Sequence, residues 1–114
     1  MNTEQFLKKL KLGGKLKFSD FLALIDSEYN FSNIAFKNGD IFNSKHENQG
    51  SAMVFCFGHM YSLSELEVLH CFAEHYHSVI QNSNDETSHL NIRSFMVHGW
   101  DALLIDFDAL KIKS

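Results

Sequence analysis

The sequence contains no proline, one arginine, one tryptophan and two cysteines among its 114 residues. Without proline, glycine and asparagine must supply the turns and the helix stops. The lone arginine, Arg93, and a net charge of -4 remove the basic face on which nucleic-acid binding rests, so no nucleic-acid partner is expected. Cys56 and Cys71 lie inside apolar stretches, the usage of buried thiols in a reducing compartment. Glu4, Lys8, Lys9 and Lys11 interrupt the apolar residues at the start, and no later stretch reaches membrane-spanning length. Sec export and a membrane span are therefore not expected. Type III secretion signals have no sharp residue pattern, so that route stays open. No G-x-S-x-G elbow, phosphate-binding loop, Rossmann glycine pattern, H-E-x-x-H or C-x-x-C occurs, and no cofactor is expected.

What is present is apolar and bulky. Hydrophobic residues make up 45% of the chain and phenylalanine alone accounts for 11 positions, enough for one core built on rings. A chain of this length buries roughly two-thirds of its unfolded surface on folding, so residues 1–114 read as a single domain. Charge is uneven. Five lysines against Glu4 give +4 over residues 1–17 and leave -8 for the rest of a chain whose net charge is -4. The plain reading of this basic start is the solvated side of an amphipathic helix and the loop after it.

Asn2 with Gln5 forms a capping-box pattern, Phe6, Leu7 and Leu10 follow at helical spacing, and Gly13-Gly14 stop the first helix. Ser19 can cap a second, with Phe21, Leu22, Ile25 and Tyr29 on one face and an end near Asn30. Asn38-Gly39, between apolar flanks, predicts a hairpin with a type I′ turn. Ala52 to Phe57 are six hydrophobic residues without periodicity. A buried helix fits them better than a strand, because few are β-branched and Asn48 or Ser51 could cap it. Ser62 to Gln81 predicts one long helix, with Leu66, Leu69, Phe72, Tyr76 and Ile80 on its buried face and a capping box from Ser62 and Glu65 or from Ser64 and Glu67. A polar linker, Asn82 to Ser88, leads to a shorter helix marked by Ile92, Phe95 and Met96 that ends by Gly99, and Leu103 to Phe107 can add a strand to the hairpin. The expected fold is α+β, about five helices packed with a small antiparallel sheet.

Three groups of residues could carry chemistry. His70, Glu74 and His77 stand at i, i+4 and i+7 of the predicted long helix, a spacing that can bind a metal ion. That stripe lies roughly 120° from the apolar centre, where helices carry solvated polar residues, so no metal centre is expected. Cys71 and His75, one turn apart, could pair a thiol with an imidazole, but no third member or oxyanion donor accompanies them and no catalytic residue is assigned. The best-furnished set is His89, Asn91, Arg93 and Trp100, with Asn48, Gln49 and Ser51 elsewhere in the chain. Arg93 and His89 one turn apart could clamp a carboxylate or phosphate. The structural alternative has Arg93 paired to the acidic body and His89 starting the helix.

At these residues the chain resembles a known family. Phe36-Lys37-Asn38-Gly39-Asp40, Asn48-Gln49-Gly50-Ser51, Cys71-Phe72, His89-Leu90-Asn91-Ile92-Arg93-Ser94-Phe95-Met96 and Gly99-Trp100 are similar in order and spacing to the HopJ type III effector family. The Asn-Ile-Arg-x-Phe-Met block followed by Gly-Trp is the most specific part. Departures from the pattern are Ala73 where glycine is expected, Ser88 where an acidic residue is, and Gln49 in place of glutamate. The resemblance implies a bacterial protein, resident in the cytoplasm or delivered to a host by a type III system, and it assigns no reaction. The leading expectation is a non-enzymatic binding module for a protein or a small anionic ligand, using a surface around Asn48, Ser51, His89, Asn91, Arg93 and Trp100. The competing one is a small enzyme or ligand carrier in which Asn48, Ser51, His89, Asn91 and Arg93 line a polar pocket.

Overall fold

The computed structural model describes all 114 residues, in six α-helices and five short strands. The chain runs α1 (Thr3–Lys11), α2 (Phe18–Glu28), β1 (Tyr29–Phe31), β2 (Phe36–Asn38), β3 (Ile41–Asn43), α3 (Gln49–Met60), α4 (Glu65–Cys71), α5 (Glu74–Gln81), α6 (Leu90–His98), β4 (Leu103–Leu104) and β5 (Leu110–Ile112). No helix is long and apolar enough to cross a membrane.

Helix α3 is the axis of the core. Its lack of hydrophobic periodicity reflects burial on every side, as for any helix apolar all round. Phe57 meets Phe6 of α1, Phe21 of α2 and Tyr29 of β1 with ring centroids 5.7, 5.4 and 6.0 Å apart. Phe55 faces the other half of the molecule, meeting Phe36 of β2, Phe72 after α4 and Phe95 of α6 at 6.2, 5.8 and 5.2 Å. The rings join the two halves into one cluster of 23 buried residues.

Local sequence explains most boundaries. The Asn2–Gln5 box forms, and of the two boxes offered before α4 it is Ser64 with Glu67 that closes, at 3.1 and 2.9 Å. Helix α2 starts earlier than Ser19: Asp20 accepts from the Lys17 amide, and Glu74, 56 residues away, accepts from the Phe18 amide at 2.7 Å. It ends at Glu28, because Tyr29 begins a strand.

The predicted long helix over 62–81 is two helices. Ala73, at φ 52° and ψ -121°, breaks it in a conformation that suits glycine. The break rotates α5 against α4, so Leu66 and Ile80 are 56% and 51% exposed while Val68, Cys71 and Val79 are buried. The hairpin is also displaced from expectation by one residue. Asn38 pairs with Ile41, making Gly39-Asp40 the turn, and only Gly39 takes a positive φ, as a type II′ turn requires.

The strands form two sheets. β4 adds to the hairpin as expected but contributes only Leu103 and Leu104, in the antiparallel order β3-β2-β4. The second sheet pairs β1 with β5, Phe31 opposite Leu110.

Candidate functional site

The one-residue shift of the hairpin has a chemical result. A strand's side chains alternate between faces, so moving the turn to Gly39-Asp40 sends Asn38 inward, where it is fully buried. Asn43, five residues on, and Asn91, in the first turn of α6, are buried beside it. The Asn38 amide donates to the Asn91 carbonyl oxygen at 2.9 Å and to Asn91 Oδ1 at 3.2 Å. Asn43 Oδ1 accepts from Asn91 Nδ2 at 2.9 Å and from Asn48 Nδ2 at 2.8 Å. Asn48 is the residue before α3, so this one oxygen ties together the starts of α3 and α6.

Those two starts open onto one cleft of about 440 Å³. Asn48, Gly50 and Ser51 line it from α3, His89, Leu90, Asn91 and Ile92 from α6, and Phe18, Phe72, His75 and Thr87 complete it. Asn48 and His89, the residues that precede the helices, are both left-handed, at φ 51°. A left-handed residue followed by helical ones aims successive amides into a common hollow, the arrangement that cradles anions. The amides of Gln49, Gly50, Leu90, Asn91 and Ile92 have no acceptor in the protein. Neither helix carries an acidic residue in its first turn, whereas α1, α2, α4 and α5 all do. The partial positive charge of both N-termini is therefore left unanswered.

The side chains around the cleft add donors and rings. His75 and His89 lie with centroids 5.4 Å apart, and Phe18 meets the His75 ring edge-on at 5.0 Å. Gly50 makes room for that phenylalanine: a Cβ there would stand 3.3 Å from the Phe18 ring. Gln49 turns away, its amide held by Ile34, Ser44 and Glu47 backbone groups.

Of the six residues expected to form a site, Asn48, Ser51, His89 and Asn91 meet in this cleft, and Arg93 and Trp100 do not line it. Arg93 Nε donates to the Ser88 carbonyl at 2.7 Å and its Nη2 to that of Asn82 at 3.1 Å, which ties the linker to α6. In the same linker the Ser88 and Thr87 hydroxyls hold the Asp85 carboxyl well below its usual range, with Arg93 a smaller contributor. Trp100 packs on Phe95 and Phe107 and against Gly58, eight residues along α3 from Gly50 and so about 12 Å from the cleft.

The break at Ala73 also divides the other two candidate groups between two helices. His70 belongs to α4 while Glu74 and His77 belong to α5, and no group of three or more His, Cys, Asp or Glu side chains is placed to hold a metal ion. Cys71 is buried and separated from His75 by the same break, and burial pushes its thiol far above the ordinary range. His75, freed from the Cys71 stripe, faces the cleft instead. Its only sequence signal is the glycine expected at position 73, which marks a turn where periodicity suggests a helix.

Two comparisons bear on identity. The chain is 36% identical to VPA0580, a protein whose crystal structure is described as being of unknown function; the match covers 99% of this chain and 95% of that one with a TM-score of 0.93. No curated protein matches. The profile of the HopJ type III effector protein family matches residues 3–110, carrying both the asparagine network and the cleft. The chain belongs to the HopJ type III effector protein family.

Proposed function

We propose that this protein is a binding module for a small anionic group, a phosphate or carboxylate carried by a ligand or a partner, seated where α3 and α6 begin. The observation that carries the reading is the pairing of two uncapped helix starts on one cleft, each led by a left-handed residue and neither balanced by an acidic side chain. Holding Asn48 and His89 left-handed costs about 1 kcal/mol or more each, a cost that structures retain most often at binding sites. The Ser51 hydroxyl and the two imidazoles make no hydrogen bond inside the protein and are free to donate to an oxyanion. The Asn43 bridge keeps both helix starts in place before a ligand arrives, so little ordering accompanies binding. Such a module serves equally as a delivered effector or within the bacterial cytoplasm.

The test is a titration of the ¹⁵N-labelled protein with inorganic phosphate. Amide signals of Gly50, Asn91 and Ile92 and the ring signals of His75 and His89 should move together and saturate with one affinity. Shifts confined to surface lysines, or none at all, would remove the reading.

A further inference from the structure

A second feature lies on the far side of the wall formed by Phe18 and Phe72, at the basic start of the chain. Lys9, Lys15 and Lys17 surround a depression of about 620 Å³ between the α1–α2 loop and the turn joining α4 to α5, with His70 and His77 also lining it. Two carboxylates share the depression, and backbone groups already use both. Asp20 accepts from the Lys17 amide at 2.9 Å and Glu74 from the Phe18 amide at 2.7 Å. The protein's only ion pair is Lys11–Glu67, 3.8 Å apart. In a chain with -8 outside residues 1–17, Lys9, Lys15 and Lys17 thus form no ion pair, Lys17 acting on Glu74 only from a distance. Leu12, which lies between Lys9 and Lys15 in the chain and closes α1 at the Gly13-Gly14 turn beside the depression, is 76% exposed.

We propose that this edge docks on the surface of an anionic lipid bilayer, with the lysines at the headgroups and Leu12 in the interfacial layer. Charge complementarity selects the partner class. Three lysines outside any ion pair gather at one depression of a chain that is -8 beyond residues 1–17, so a planar anionic surface attracts this edge and repels the rest. A protruding leucine gains from an acyl boundary and gains nothing from a phosphate backbone, which sets a bilayer above a nucleic acid. Each lysine at an anionic surface raises partitioning about fivefold.

The experiment is co-sedimentation of the full chain with vesicles of phosphatidylcholine alone and of phosphatidylcholine with about one-third phosphatidylserine. The protein should sediment with the anionic vesicles only, and added salt should release it. Lys9→Glu with Lys15→Glu should lower partitioning by more than about tenfold, and Leu12→Ser by a few-fold at constant salt. Lys45→Glu with Lys111→Glu, exposed positions elsewhere with the same change of net charge, should leave binding much closer to wild type. Equal sedimentation with neutral vesicles, none with anionic ones, or an equal loss in the control pair overturns the proposal. Capture by soluble heparin without vesicle binding overturns it too and assigns the edge to a soluble polyanion.

Discussion

Asn43 and Asn91 clasp each other in both directions: Asn91 Nδ2 donates to Asn43 Oδ1 at 2.9 Å and Asn43 Nδ2 donates to Asn91 Oδ1 at 3.3 Å, with both side chains buried. Because Asn43 Oδ1 also accepts from Asn48, the pair is the joint between hairpin, α3 and α6. Asn43→Ala strands the buried Asn91 amide and releases Asn48. It should cost about 2–3 kcal/mol in urea unfolding. Asn43→Asp keeps the acceptor oxygens but buries a charge beside the cleft, and should weaken phosphate binding even where the fold survives. A loss under about 0.5 kcal/mol in Asn43→Ala would show that the network is not holding the helices.

Ala73→Gly should stabilise the protein. The backbone at Ala73 costs a residue with a Cβ about 1–3 kcal/mol, and the buried methyl returns only about 0.8 kcal/mol. The expected net gain is about 1 kcal/mol by denaturant unfolding. A net loss would mean that the methyl's packing outweighs the strain.

Arg93 and His89, one turn apart, should separate cleanly. Arg93→Ala removes a half-buried charged donor from two linker carbonyls and should cost about 1–2 kcal/mol while leaving phosphate affinity nearly unchanged. His89→Gly relieves a left-handed residue and removes an imidazole from the cleft, so stability should hold or rise while affinity falls. Paired unfolding and binding curves for the two variants check both halves. The reverse pattern would move the site to Arg93.

Acid should loosen the contact between α5 and α2. The Phe18 amide holds the Glu74 carboxyl below its usual value, with the nearby His75 and Lys17 charges contributing less. A depressed carboxylate contributes its stability above the unfolded value and loses it as the pH falls through the folded one. The stability gap between wild type and Glu74→Gln should be widest near neutral pH and shrink as the pH drops below about 4.5. A gap independent of pH would show that the charge on Glu74 is immaterial.

Neither thiol should react in the folded state. Burial pushes Cys56 up to about 12 and Cys71 higher still, so thiolate is scarce at neutral pH. Ellman's reagent should detect no thiol before unfolding and 2 after it.

Elements set by neighbouring residues are legible in the sequence. The capping boxes at Asn2 and Ser64 and the all-round apolar run of α3 follow from chemistry within a few positions. Where distant residues decide, the local signal misleads. Asn38-Gly39 reads as a I′ turn, but three buried amide bonds reward a strand that runs one residue further. The pattern over 62–81 is helical on both sides of Ala73, and only backbone conformation reveals the break. β1 and β5 are too short to show alternation, so neither stands out from its neighbours in the chain. Residue chemistry singles out four residues that line the cleft, Asn48, Ser51, His89 and Asn91, while spacing alone does not tell that Arg93 turns from it toward the linker.

The pairing of β1 with β5 also orders events in time. Phe31 and Leu110 are neighbours across a sheet although most of the chain separates them, and Lys113 reaches back to the Asp26 and Glu28 carbonyls at 2.7 and 2.9 Å. On a ribosome the aromatic half around Phe57 can therefore gather early, but its seam cannot close until residues 110–112 have emerged. Closing so long a loop is slow relative to helix formation, which makes this seam a late step in folding.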